Sequence, residues 1–318
     1  MATIIAECCQ NHKGDLKILN DMIWAVAESG ADYIKIQSML ADDLVYREQF
    51  EEGVIEKGFV KAIRRPYQSE YNRLKPMDLD DDAHYWFVEE CKKANIKPLT
   101  TVFTRSMIPF LSSLSWKEIK VASYDCASFP MIKEIKKFFD HLFISTGATF
   151  DNEIRATADL LKGHSFTYLH CVTIYPTPLD MLNLSRIEWL RQFTPYVGFS
   201  DNSLTNKDSF KASAGALFIG ADVIERHFTI LPAEETKDGP VSINPEQLKK
   251  LVSLAHLNKD DLKEYIKEYV PEYEKMIGVP TRNLTENEML NRDYYRGRFA
   301  SKKENKVIYN WEETEQGI

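Results

Sequence analysis

Thr3-Ile4-Ile5-Ala6-Glu7-Cys8-Cys9 opens the chain, and one amphipathic segment later it is answered by Tyr33-Ile34-Lys35-Ile36-Gln37. Both runs are short and apolar, as expected of strands buried on two faces. Between them Leu16, Leu19, Ile23, Val26 and Ala27 recur at helical spacing, and Gly30 stops the helix. This strand–helix–strand unit repeats, with further strands expected near Lys97–Phe103, Glu118–Ser123, Leu142–Thr146, Thr167–Val172, Tyr196–Ser200 and Val223–His227. Eight such runs within residues 3–280 fit a closed (β/α)8 TIM barrel better than an open doubly wound sheet. Asn244-Pro245-Glu246 starts a late helix with an N-cap residue and a first-turn proline, carrying Leu248, Leu251, Val252 and Ala255 inward.

Two regions fall outside the repeat. The stretch from Met39 to Asp82 is too long for a plain strand-to-helix connection, and a lid or short helices over the site are expected there. From about Thr281 the periodicity fades into Asn291-Arg292-Asp293-Tyr294-Tyr295-Arg296-Gly297-Arg298 and the acidic end Glu312-Glu313-Thr314-Glu315. Residues 1–280 read as the barrel and 281–318 as a linker-like tail, too short for a complete second domain.

Composition narrows the function. The 318 residues are 44% hydrophobic and 28% charged, ordinary for a globular protein with a sizeable core. A net charge of −8 argues against a general nucleic-acid binder, and Lys61-Ala62-Ile63-Arg64-Arg65 reads as a solvated loop face. The cysteines, Cys8, Cys9, Cys91, Cys126 and Cys171, are odd in number and lack metal-type spacing, which suggests a reducing compartment. No stretch approaches the roughly 20 apolar residues of a membrane span, and the N-terminus lacks a signal-peptide pattern, so a cytoplasmic location is expected.

Chemistry in such barrels sits where the strands end. Glu7 closes the first strand, Lys35 and Gln37 lie in the second, and Thr101, Thr104 and Arg105 close the third. Lys120 and Ser123 belong to the fourth and Ser145 to the fifth; His170 and Thr173 precede Tyr175-Pro176-Thr177-Pro178. Ser200-Asp201-Asn202 and Glu225-Arg226-His227 complete the set. Any one of these reads equally well as a satisfied interior polar group. Together, hydroxyls with lysine suit a phosphate ester, and the carboxylates suit proton transfer or a metal.

The ordered motifs Ile4-Ile5-Ala6-Glu7, Asn11-His12-Lys13-Gly14-Asp15, Ala31-Asp32-Tyr33-Ile34-Lys35-Ile36-Gln37, Lys120-Val121-Ala122-Ser123, Ser145-Thr146-Gly147, Gly198-Phe199-Ser200-Asp201 and Glu225-Arg226-His227-Phe228-Thr229 closely resemble the N-acetylneuraminate (sialic acid) synthase family, which includes the legionaminic and pseudaminic acid synthases. The resemblance runs from about residue 3 to residue 280. It implies an enzyme that condenses phosphoenolpyruvate with an N-acetylated sugar aldehyde and uses a divalent metal, manganese or magnesium. By position, phosphoenolpyruvate would be held by Thr101, Lys120, Ser123, Ser145 and Ser200, with Thr173 where the family often has asparagine. Glu7, Glu225, Lys35 and Asp125 would take catalytic roles; Gln37, Tyr175 and Asp238 would face the substrates. His227 matches one of two histidine metal ligands.

The chain departs from this pattern twice. Asn202 stands where the second histidine ligand is usual, and the antifreeze-like domain with which the family usually ends, contributing an arginine and a dimer contact, is not recognised after residue 280. Arg296 or Arg298 then substitutes, a partner protein supplies the piece, or the acceptor lacks the acetamido group. A homodimer is still expected. Two rival readings are a Schiff-base aldolase using Lys35 or Lys120 and a non-catalytic sugar-binding barrel. Because an amide oxygen is a weaker transition-metal ligand than imidazole, manganese should bind less tightly than at a two-histidine site. Calorimetry giving a sub-micromolar manganese Kd would contradict this.

Overall fold

The computed structural model describes residues 1–303 and 306–313; Thr314 and Glu315 of the acidic end lie outside the described residues. In chain order the strands are β1 (Thr3–Cys9), β2 (Tyr33–Ser38), β3 (Val54–Glu56), β4 (Phe59–Ala62), β5 (Lys97–Val102), β6 (Glu118–Val121), β7 (His141–Ser145), β8 (Ser165–His170), β9 (Tyr196–Asp201), β10 (Val223–His227), β11 (Ser301–Lys303) and β12 (Lys306–Ile308). Eight of them close a barrel in the order β1-β2-β5-β6-β7-β8-β9-β10, every pairing parallel. The remaining strands form two antiparallel hairpins, β3–β4 and β11–β12.

Local sequence sets the wrapping helices. Asp15 caps helix Leu16–Ser29 by accepting from the Lys17 and Ile18 amides, and Gly30 ends it at φ 80° in the left-handed region. Its Leu19, Met22, Ile23 and Val26 are buried in the same outer core as Ile4, Ala6 and Cys8 of β1. Asn244 and Gln247 form the reciprocal cap of helix Pro245–Ala255. The long stretch after β2 contains the β3–β4 hairpin and helix Tyr67–Leu74. Among the described residues no helix is long and apolar enough to cross a membrane.

Inside the barrel the two-residue period of the strands builds layers. Ile5, Tyr33, Leu99, Phe143, Leu169 and Val223 form one buried apolar cluster, with the Tyr33 and Phe143 rings edge-to-face at 5.8 Å. The next inward position on five of these strands is Glu7, Lys35, Thr101, Ser145 or Glu225. An apolar plug thus closes the barrel directly below a polar ring.

Residues 286–303 and 306–313 pack across the same end. Thr285 and Glu288 form a capping box on helix Glu286–Tyr295, whose Glu288 and Arg292 are buried. Phe299 bridges to Leu44, and Asn310 donates to the Phe103 carbonyl at 2.8 Å.

Outside the barrel wall Arg226 and Asp201, register partners on β10 and β9, form an ion pair with both side chains fully buried. Arg226 also donates to Ser203 Oγ at 2.9 Å and to the Ser203 carbonyl at 3.0 Å, while Ser213 donates to Asp201 at 2.6 Å. Removing one partner strands the other charge in apolar surroundings. Asp201→Ala should therefore cost about 3–5 kcal/mol, read as a lower urea midpoint; a loss under about 1 kcal/mol would show that the pair is not a lock.

Candidate active site

The polar ring is the floor of a cavity of about 390 Å³ at the C-terminal ends of the strands. Its sides come from the long segment after β2 (Met39, Arg65, Arg73), the loop after β10 (Lys237, Asp238) and the tail (Asn291, Tyr295, Arg298, Phe299). Strand register fixes the floor, since Glu7 lies beside Lys35, Gln37 beside Thr101, Thr101 beside Lys120, and Glu225 beside Ser200.

Charges dominate this floor. Lys35 is buried in an ion pair with Glu7, stands 3.5 Å from Glu225 and donates to Thr101 Oγ1 at 2.8 Å. Burial draws its ammonium down to about 8 against the pull of Glu225. For Glu225 burial acts upward, but Lys35, Lys120 and the Ser200 hydroxyl, which donates at 2.8 Å, hold the carboxyl at about 2. Glu7 also accepts from the Cys9 amide at 2.6 Å. Lys120 donates to Ser145 Oγ at 2.6 Å and to the Val121 carbonyl at 2.8 Å.

The hydroxyl wall continues through Ser123, which accepts from the Gly147 amide at 3.2 Å and lies 3.0 Å from Cys171 Sγ. Gly147 has no room for a side chain, because a Cβ there would sit 2.5 Å from Cys171 Sγ and 2.6 Å from Thr173 Cγ2. Asp125 is buried and its carboxyl is raised by burial, although Asn310 and Ser128 donate to it at 3.0 and 2.8 Å.

Donors for a cation gather where β1 and β10 end. One ligand atom each from Cys9, His227 and Asp238 lie within 4.8 Å of one another. Ligand atoms at roughly 2.0–2.3 Å from a shared tetrahedral ion stand about 3.5 Å apart, so a modest closure brings these three onto one ion. Thiol, imidazole and carboxylate are all established ligand types for divalent metals, and the residues fit such a group.

Of the residues singled out from sequence, Glu7, Lys35, Gln37, Thr101, Lys120, Ser123, Asp125, Ser145, Thr173, Tyr175, Ser200, Glu225, His227 and Asp238 all line this cavity. Asn202 does not: its Nδ2 donates to the Val172 carbonyl at 3.3 Å, and its buried Oδ1 has no hydrogen-bond partner among the described residues. Asp238, read from sequence as a substrate contact, also stands in the donor cluster. Arg298 reaches the cavity and pairs with Glu70 at 2.5 Å, whereas Arg296 lies over the Trp311 ring. Sequence reading missed Cys9, Arg73, Lys237 and Asn310. Only Cys9 left a signal there, two positions beyond Glu7 on the same strand.

Lysines set beside hydroxyls on adjacent strands, all facing one cavity, are arranged to receive oxyanions, so the chain is a (β/α)8-barrel enzyme acting on an anionic substrate at its strand C-termini. It belongs to the NeuB family, whose model matches residues 22–267. The N,N'-diacetyllegionaminic acid synthase of Legionella pneumophila is 33% identical over 258 residues, covering 78% of this chain and 70% of that protein. The protein of the same name from Campylobacter jejuni is 29% identical over 303 residues, covering 91% and 86%. Among solved structures, the spore coat polysaccharide biosynthesis protein SpsE of Bacillus subtilis superposes with a TM-score of 0.71 at 26% identity, covering 92% of this chain and 77% of that one.

Gly147→Ala forces a methyl group against Cys171 and Thr173 and should displace Ser123. We expect a loss of about 1–3 kcal/mol in chemical unfolding, the range for overpacking a tight interior. Unchanged stability would mean that the wall yields freely.

Proposed function

We propose that this chain condenses phosphoenolpyruvate with a sugar aldehyde, releasing phosphate and forming a nonulosonic acid of the sialic-acid type. The observation that carries this reading is the floor register. Lys35 and Lys120 stand among Thr101, Ser145, Ser123 and Ser200, so ammonium and hydroxyl groups surround the space above the plug. A phosphate with its neighbouring carboxylate fits that donor set, and Thr173 extends it.

The methylene carbon of phosphoenolpyruvate attacks the aldehyde carbon, whose oxygen takes a proton and becomes a hydroxyl. Water adds to the cationic carbon left behind and gives up a proton; the carbon–oxygen bond to phosphate then breaks, the remaining hydroxyl proton passing to the departing phosphate oxygen, which leaves a 2-keto acid. Proton handling falls to the floor residues. Glu225, charged beside Lys35 and oriented by Ser200, takes the proton of the attacking water at its carboxylate. Lys35 Nζ, an ammonium at neutral pH, can supply one to the aldehyde oxygen. Glu7, fixed by the Cys9 amide, holds Lys35 in place. Asp125, tied to Asn310, and Gln37 and Tyr175 on the cavity wall position the acceptor. A divalent cation held by His227 with Cys9 and Asp238 would polarise the aldehyde as a Lewis acid.

Pairing of Lys35 with Glu7 supports a charge-bearing role over Schiff-base formation, because the nucleophile for an imine is a free amine. The two legionaminic acid synthases among its relatives support a diacetamido hexose as acceptor, with N-acetylmannosamine the nearest compound of the same class. A homodimer in the cytoplasm completes the proposal; five unpaired, buried cysteines support the reducing compartment.

Phosphate release should be followed with and without manganese, magnesium or zinc, across N-acetylmannosamine, diacetamido hexoses, mannose and arabinose 5-phosphate. Metal-dependent release with an acetamido hexose is expected. Phosphoenolpyruvate binding without release from any aldose would overturn the reading.

A further inference from the structure

We propose that the metal centre of this chain is a thiolate site built on Cys9, His227 and Asp238, selecting borderline metals such as zinc or cobalt(II) over magnesium and manganese. The inference relies on the reading above for what the metal does, but not for whether it binds.

Three features converge on Cys9. First, the pairing of β1 with β2 shifts register between Glu7 and Cys9, an irregularity of the kind that re-aims a side chain beside a reaction centre. Second, Cys9 has φ 38°, a left-handed backbone that costs a residue with a side chain and persists where its surroundings enforce it. Third, the consequence of both is that Sγ stands 3.2 Å from Asp238 Oδ2, while Cys8 next to it faces the outer core with no such partner.

Asp238 is held on the other side by built structure. Its carbonyl accepts from Ser242 Oγ at 2.7 Å; Ser242 in turn accepts from Asn11 Nδ2 at 3.0 Å, and the same Asn11 amide donates to the Phe228 carbonyl at 2.8 Å. The loop after β1, which follows Cys9 at that strand's end, is thereby tied to the loop after β10 that supplies Asp238, with His227 at the end of β10. Gly239 permits the turn, since a Cβ there would lie 1.9 Å from the Ala233 carbonyl oxygen.

Asn202, by contrast, spends its amide on the Val172 carbonyl and lies outside the cavity lining. The imidazole expected at that position is thus replaced from a different strand, by a sulfur and a carboxylate. Thiolate favours borderline and soft ions, and magnesium and manganese favour oxygen. Binding exchanges the Cys9 S–H bond for a sulfur–metal bond, the proton leaving to solvent, so that one proton is released per metal bound at Cys9.

The test is spectroscopic. Chelator-stripped protein titrated with cobalt(II) should show a near-ultraviolet thiolate-to-cobalt charge-transfer band, absent in Cys9→Ser and retained in the distant Cys91→Ala. Competition should show zinc preferred over manganese, with that preference falling at least about tenfold in Cys9→Ser. Circular dichroism shows whether each variant is folded, and Asp238→Asn, which keeps the shape, serves if Cys9→Ser is not: it should weaken cobalt binding at least about tenfold. Folded wild-type protein that binds cobalt without the sulfur band, or a band that survives in Cys9→Ser, overturns the proposal. Phosphate release measured on the same samples separates the two readings. Turnover without a sulfur band sinks only the thiolate site, and a sulfur band without turnover sinks only the reaction.

Discussion

A strand repeats its facing every two residues, and in this barrel that period sets a ring of charge directly on a hydrocarbon plug. Ile5, Tyr33, Leu99 and Val223 keep water from below; Glu7, Lys35, Thr101 and Glu225 follow two positions on and face the open end. Buried ions are tolerable only when paired and hydrogen-bonded. Lys35 is stable here because two carboxylates and a hydroxyl surround it, and those partners are in reach only if neighbouring strands hold their register. A one-residue slip in any strand would turn its inward-facing side chains, ring and plug alike, toward the outer core and bring its outward-facing apolar residues into the barrel.

The same arrangement explains why the floor can recognise oxyanions without being flooded by them. Glu7 and Glu225 offset the charges of Lys35 and Lys120, so the floor itself is balanced, and an entering anion competes for donors that are already ordered. Preorganised donors in a low-dielectric setting need little rearrangement as charge develops during a reaction. Hydroxyls set beside the lysines, such as Thr101 and Ser145, add direction to what would otherwise be point charges.

Much of this was legible in the sequence because strand period and strand end are local properties. The bounds of β1 and β10 agree with the apolar runs, and the cap at Asn244 and stop at Gly30 fall where their chemistry requires. Eleven of the lining residues were legible because polar side chains at strand ends tend to face the cavity, whereas Asp125, Tyr175 and Asp238 came from the family resemblance alone. What was not legible depends on chain segments meeting across the fold. Asn310 reaches Asp125 from 185 residues away, and nothing near either residue announces the other. Arg73 and Lys237 come from loops without periodicity. Cys9 sits in an apolar run without metal-type spacing; the register shift beside it, which sequence does not show, sets its sulfur beside Asp238 and His227. The helix at Glu286–Tyr295 did leave a local mark in its Thr285–Glu288 capping box, which a search for hydrophobic period passes over.

Chain order has one more consequence. Ribosomes deliver residues from the N-terminus onward, so every barrel strand is out before Phe299 and Asn310 exist. The hydrogen bond from Asn310 to the Phe103 carbonyl closes a loop of 207 residues, among the slowest kinds of contact for a chain to find. During synthesis, then, all the anion-receiving groups of the floor are present in the nascent chain before the tail residues that complete the wall. The residues that enclose the site, and not those that receive the anion, come late in the chain.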